Sequence, residues 1–185
     1  MTSALLPMLT ERCVLRPFRE ADLPVFAAYR ADPEVGRYQS WSAYTMDDAR
    51  AFYEEMGRTR LGDVGTWYQV AIADRATDEL LGDCALHFVD DAQVEIGFTL
   101  SRAHQGRGIM AEAVRALVTS VFRGMRKHRV FAVTDARNDS AARLLEKLGF
   151  RREAHFRKNV FFKGAWGDEF VFACLAEEWQ SGAAP

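Results

Sequence analysis

The chain has 185 residues, and its 24 Lys and Arg against 26 Asp and Glu leave a formal charge of −2. With no global basic field to grip a polyanion, the balance argues against a dedicated nucleic-acid binder. Hydrophobic residues at 49% and charged residues at 27% are a globular mix rather than a disordered one, and no apolar run approaches the ~18 residues of a membrane span.

In chain order, Met1 to Leu9 holds a short apolar patch broken by Pro7, with no basic segment before it, and does not read as a secretory signal. Cys13 to Phe18 reads as a strand ending at Pro17. Glu20 to Arg30 places Leu23, Phe26, Ala27 and Arg30 at helical spacing, with Pro24 tolerable in the first turn. Asp32 to Tyr44 is rich in aromatic and turn residues. Thr45 with Asp48 is a capping pair for a helix whose apolar face is Ala49, Phe52, Tyr53 and Met56. Three strands follow, Trp67 to Ala73, Leu80 to Phe88 and Val94 to Leu100, separated by turns at Asp74 to Asp78 and Asp90-Asp91.

The period then changes from two to four. Ile109, Ala113, Leu117 and Val121 define one broad helical face. Val130 to Thr134 is a short apolar strand, and a buried strand after a helix suggests a parallel crossover. Ala141, Leu144, Leu145 and Leu148 form a second helical stripe, stopped by Gly149. Two late strands run about Arg151 to Phe161 and Phe170 to Leu175. The sum is an α/β (α+β) fold: a mixed sheet with helices on its faces, one domain over residues 1–180 with a loose tail at 181–185. Cys13, Cys84 and Cys174 are odd in number and far apart, which fits buried thiols in a reducing cytoplasm better than a disulfide framework. His87, His104, His128 and His155 show no metal-ligand spacing, so no metal is expected.

The most informative stretch is the turn from Val94-Leu100 into the long helix, Gln105-Gly106-Arg107-Gly108-Ile109-Met110. Glycines allow a sharp turn and close approach of a ligand to the backbone. The free amides of the first helical turn then converge on one spot, with the positive end of the dipole behind them, which suits a phosphate or pyrophosphate. Arg102, His104 and Arg107 add positive charge. The stretch lacks the Lys-Ser/Thr of a P-loop and the third glycine of a dinucleotide turn.

This loop resembles the acyl-CoA pyrophosphate loop of the GNAT superfamily of N-acetyltransferases, with Met110 in place of a small residue. Asn138 to Phe150 is similar to the later helix of that superfamily, which ends in Gly-Phe. Leu9 to Phe18, and the ending from Phe161 through Trp166, Asp168 and Glu169 to Trp179, resemble the RimJ/RimL-like branch. The resemblance implies a strongly twisted sheet of six to seven strands with about four helices. Its fourth and fifth strands, here Val94 to Leu100 and Val130 to Thr134, splay apart to admit pantetheine.

It also implies acetyl-CoA as co-substrate and a primary amine as acceptor, on a protein N-terminus or a small molecule. Neither nucleic acid nor membrane is an implied partner, and a homodimer is compatible with this branch. The implied cofactor contacts are Phe98, Thr99 and Leu100 on the strand, Gln105, Gly106, Arg107, Gly108, Ile109 and Met110 on the loop, and Asn138 and Arg143 on the later helix. Asn138 also reads as a plain helix cap. Glu95 is the candidate catalytic base, with Asp168, Glu169 and Asp83 behind it. The tyrosine acid that many members carry is replaced by Leu145, leaving Ser140 or water for that role. Tyr38, Trp41, Tyr44, Trp67 and Trp166 are candidates to line the acceptor groove, with Tyr68 and His87 as further site-lining groups, and Glu34, Asp47, Asp48 and Asp168 are candidates to attract a cationic amine. A non-catalytic acyl-CoA sensor or interaction module on the same fold is the alternative.

Overall fold

The computed structural model describes residues 5–181. Among these residues eight strands form one sheet: β1 (Met8–Leu9), β2 (Cys13–Arg16), β3 (Trp67–Asp74), β4 (Leu80–Phe88), β5 (Gln93–Leu100), β6 (Arg129–Asp135), β7 (Arg151–Phe162) and β8 (Ala165–Leu175). Their spatial order is β1-β2-β3-β4-β5-β6-β8-β7. Every neighbouring pair is antiparallel except β5 and β6. That parallel pair needs a crossover, supplied by α4 (Ile109–Arg123).

The sheet has one strand more than the periodicity indicates. β1 is two residues long, too short to show alternation, and is held by pairing Met8 with Leu15. β2 stops at Arg16 because Pro17 has no N–H for the ladder. β8 begins at Ala165 rather than Phe170. It forms a long hairpin with β7, turned by Lys163 and Gly164, both at positive φ.

The remaining helices are α1 (Leu23–Ala31), α2 (Pro33–Gly36), α3 (Met46–Met56), α5 (Asp139–Lys147) and α6 (Ala176–Ser181). The predicted helix from Glu20 starts as a 3-10 turn, and the α-helix proper begins one residue before Pro24. Thr45 and Asp48 form the predicted capping box of α3. The short α2 and α6, of four and six residues, span fewer than two turns, too few to show a repeating apolar stripe, and were not legible as helices. Ser181 closes α6, while residues 182–185 of the expected tail, and Met1 to Ala4 of the opening segment, lie outside the described residues.

Two cores lie on the two faces of the sheet. On one, the α4 stripe and Leu145, Leu148 and Phe150 pack against Leu15, Ile72, Leu86 and Val94. On the other, Phe26, Tyr29 and Ala49 of α1 and α3 pack over Ala71 and Leu80. Polar ties fix that second layer. Tyr29 Oη donates to Asp83 Oδ1 at 2.5 Å, and the Arg30 guanidinium lies 3.5 Å from Asp83 and over the rings of Trp41, Phe26 and Phe52. Cys13, Cys84 and Cys174 are buried and free, as expected.

Candidate functional site

The sheet is split at its parallel pair. β5 and β6 are in register at only three positions, Gln93 with Arg129, Val94 with Val130 and Glu95 with Phe131. Beyond Glu95, β5 stays paired with β4 as far as Leu100, and β6 stays paired with β8 as far as Asp135. The edge of β5 that faces β6 is therefore left without a ladder from Ile96 onward. A cavity of about 170 Å³ fills the opening. Ile96, Gly97 and Phe98 form one wall and Ala132 to Asp135 the other. Asn138 and Ala141 of α5, Tyr38 and Gln39 of the segment after α2, and Val160, Phe162 and Glu169 of the hairpin complete it. This is the predicted separation of the two strands.

The glycine loop stands at the end of the split. After Leu100 the Ser101 amide donates to Leu81 O at 2.9 Å, and a 3-10 turn, Arg102–His104, is braced by Ser101 Oγ against His104 Nδ1 at 2.7 Å. Gln105 Nε2 donates back to Leu100 O at 2.9 Å, so the loop is tied to the strand it leaves. Gly106 and Gly108 have φ of +75° and +76°, and Gly108 is the N-cap of α4 in the left-handed region. A non-glycine residue in that region costs roughly 1–2 kcal/mol. The amides of Ile109, Met110 and Ala111 precede the first helical bond, which runs from Glu112 N to Gly108 O at 3.1 Å. They are free for an anion. The side chains of Ile109 and Met110 are buried in the core, so Met110 leaves the backbone face of the loop clear. Arg102, Arg107 and Arg143 are exposed, and none of their guanidinium groups enters an ion pair among the described residues.

One residue of the loop's setting was missed. Arg12, just before β2, donates from Nη1 to Arg107 O at 2.5 Å and from Nε to Glu112 Oε2 at 2.7 Å. Its backbone N–H donates to Glu112 Oε1 at 2.7 Å. Partial burial pushes the Glu112 carboxyl up, but hydrogen bonds from Thr10 and Arg12 outweigh it and hold the group below the usual carboxylate range.

The other predicted residues divide. Phe98 lines the cavity; Thr99 and Leu100 are buried and do not. Asn138 caps α5, its side-chain oxygen accepting from Ala141 N at 3.2 Å, and it also lines the cavity. Ser140 is exposed on the first turn of α5 and is not part of the cavity wall, while Leu145 is fully buried.

Glu95 occupies the last paired position before the split, and its side chain is 23% exposed. Its carboxylate lies 3.5 Å from His87 Nδ1, and Trp67 stacks on the His87 ring at 4.8 Å. Of the secondary carboxylates, Asp83 is 2% exposed and held by Tyr29 and Arg30, so it cannot meet an acceptor. Asp168 is taken by His155 Nε2 and Lys158 N. Glu34, Asp47 and Asp48 are engaged by Arg37, Arg50 and Thr45. Glu169 lines the cavity and accepts from Asn159 Nδ2 at 2.5 Å. Asp135 lies opposite it in register, its carboxyl lowered by Arg137. Among the aromatics, Tyr38 lines the cavity, Trp41 and Tyr44 pack on Arg30, and Trp166 is exposed at the hairpin tip.

A sheet split at its parallel pair, with free helix-start amides at the end of the split, leaves a channel whose shape and donors suit an extended ligand ending in an anionic group. The chain belongs to the GNAT acetyltransferase family: residues 12–151 match the model of the acetyltransferase (GNAT) domain. It is an N-acetyltransferase, and its relatives include ribosomal protein acetyltransferases of the RimJ/RimL type. It is 30% identical over 171 residues to the uncharacterized N-acetyltransferase YnaD of Bacillus subtilis (strain 168), covering 92% of this chain and 97% of the relative. It is 24% identical over 184 residues to the ribosomal protein uS5-alanine N-acetyltransferase of Escherichia coli (strain K12), covering 95% of this chain and 93% of that one. The crystal structure of a GNAT-family acetyltransferase from Bacillus anthracis superposes with a TM-score of 0.83 at 26% identity, covering 92% of this chain and 98% of the other. The fold is also shared with spermidine N-acetyltransferase from Vibrio cholerae in complex with CoA and spermine, at a TM-score of 0.80 and 18% identity over 92% of this chain and 99% of the other. No helix among the described residues is long and apolar enough to cross a membrane.

Proposed function

We propose that the chain transfers an acetyl group from acetyl-CoA to a primary amine by direct attack in a ternary complex. The observation that carries this reading is the loss of β5–β6 pairing beyond Glu95, with the glycine loop at the far end of the same strand. Pyrophosphate sits on the amides from Gly106 to Ala111, with Gln105 bracing the loop and Arg102, Arg107 and Arg143 supplying charge. Pantetheine pairs with the free edge of β5 at Phe98 to Leu100 and passes Asn138. The thioester then lies beside Ile96 and Gly97, in the cavity.

The chemistry asks little of the protein. The thioester is already activated, and its thiolate, with a pKa of about 8.5, leaves without strong acid help. The burial of Leu145 therefore does not disable the site. A free N–H on the unpaired edge of β5 stabilises the oxyanion. An amine with a pKa of roughly 8–10 must lose a proton. Glu95 takes it, directly or through one water, and Glu169 attracts the ammonium form into the cavity.

The relatives act on both acceptor classes considered above: the Escherichia coli relative is named for an alanine of ribosomal protein uS5, and the Vibrio cholerae neighbour for spermidine. An acidic cavity wall suits either amine. The three buried free thiols support a reducing, cytoplasmic setting. Isotope-labelled acetyl-CoA offered to a pool of peptides with varied N-termini and to a pool of small amines tests the reading. Label on peptides identifies a protein acetylase, and label on small amines a metabolic enzyme. Acetyl-CoA binding with no transfer to either pool would favour the sensor.

A further inference from the structure

Arg12 lies 95 residues upstream of Arg107, yet its hydrogen bonds end on the glycine loop and on the first turn of α4. Its Nη1 takes the Arg107 carbonyl at 2.5 Å, and its Nη2 is the atom a Cβ on Gly108 would meet first, at 3.2 Å. The guanidinium thus lies along one side of the Arg107–Gly108 peptide. In a trans peptide the C=O and the following N–H point in opposite directions. With Arg107 O drawn to Arg12, the Gly108 N–H is aimed away from it. Glu112 keeps Arg12 in place by accepting from both its backbone N–H and its Nε, each at 2.7 Å.

We propose that Arg12, anchored by Glu112, is a positioning residue for acetyl-CoA, fixing the Arg107–Gly108 peptide so that the Gly108 N–H faces the pyrophosphate. The inference rests on the acetyl-CoA reading above. It differs from a bare charge effect in the sign it gives to Glu112. By charge alone, the Glu112 carboxylate so near the anion site weakens phosphate binding, and its removal strengthens it. As the anchor of Arg12, it aids binding, and its removal weakens it. The geometry also separates arginine from lysine, because an ammonium cannot span Glu112 and the Arg107 carbonyl as the planar fork does.

The test is calorimetric titration of CoA into the wild-type chain, Glu112→Gln and Arg12→Lys, with the Gly108 amide resonance followed by NMR before ligand is added. Glu112→Gln keeps the side-chain volume, and circular dichroism confirms that each variant is folded. Both variants should bind CoA about tenfold more weakly, the loss of one charge-assisted hydrogen bond's worth of order, and both should shift the Gly108 resonance in the free protein. Glu112→Gln binding CoA as tightly as wild type, or more tightly, overturns the clamp. So does Arg12→Lys with wild-type affinity. No CoA binding by the wild type would instead overturn the acetyl-CoA reading itself, and the clamp with it.

Discussion

Replacing Gly108 by alanine separates the cost of a loop's shape from the cost of its fold. Gly108 has φ +76° and ψ 1°, where an L-residue is disfavoured by roughly 1–2 kcal/mol. The new Cβ would sit 3.2 Å from Arg12 Nη2, on a guanidinium held by Glu112 and the Arg107 carbonyl, so that group must also give by a few tenths of an ångström, a disturbance that likewise falls on the loop. Because the loop is exposed, the variant relaxes to negative φ when free and must be forced back when it binds. The strain then appears in affinity: about 5- to 30-fold weaker CoA binding, since 1.4 kcal/mol is about tenfold. Gly149→Ala is the control. Its φ is +91°, but it is locked after α5 by Gly149 N to Glu146 O and Phe150 N to Leu145 O, both 3.0 Å, between buried Leu148 and Phe150. There the same penalty of roughly 1–2 kcal/mol falls on stability and leaves CoA affinity alone. Calorimetry with CoA and urea unfolding of both variants are the assays. Gly108→Ala with wild-type affinity, or with a stability loss and no affinity loss, would refute the placement of the loop at the site.

Glu95→Gln should lower kcat/KM for the acceptor by roughly 10²- to 10⁴-fold with unchanged CoA affinity; an unchanged rate removes Glu95 from catalysis. Asp22→Ala removes the bidentate partner, at 2.7 and 2.9 Å, of an Arg16 guanidinium that is 3% exposed. A buried charge left so costs about 3–5 kcal/mol, or roughly 6–20 °C in Tm for a chain of this size; a shift under 2 °C by the ~2–4 °C per kcal/mol scale would show that solvent or Asp78 compensates. The Arg16 guanidinium, helped by Arg19, holds the Asp78 carboxyl below its usual range. Its contribution to stability is therefore complete above about pH 4, the ordinary carboxylate value, and is lost as pH falls through the lower folded value. The urea midpoints of wild type and Asp78→Asn should converge below that pH, and parallel curves would contradict the pairing.

What was legible in the sequence is what local physics controls. The four-residue stripe of α4, the Thr45–Asp48 box of α3 and the glycine start of α4 each follow from spacing or backbone freedom within a few residues, and all three are where they were read. Met110 was expected to turn its side chain into the core, and it is buried there. The rest depends on long-range assembly. Arg12 gives no signal of its link to Arg107. Lys163 donates to Gly36 O and Trp41 O across more than a hundred residues, closing the hairpin tip over the segment that carries Tyr38 and Gln39. Trp41 and Tyr44, candidates to line the groove, pack on Arg30, a contact the sequence did not show because an aromatic-rich segment does not say which neighbour each ring will meet. Glu169 ranked behind Glu95 as a carboxylate, yet it is the one the hairpin brings into the cavity wall, a consequence of β8 pairing with β6 at Asp135.

The central claim is that the split between β5 and β6, entered over the glycine loop, holds acetyl-CoA. Backbone amide shift mapping during CoA titration tests it most directly. The account predicts the largest changes at Gly106 to Ala111 and at Ile96 to Leu100, with little change on α1 and α3. Saturable binding that leaves both stretches unmoved and perturbs another face would contradict it.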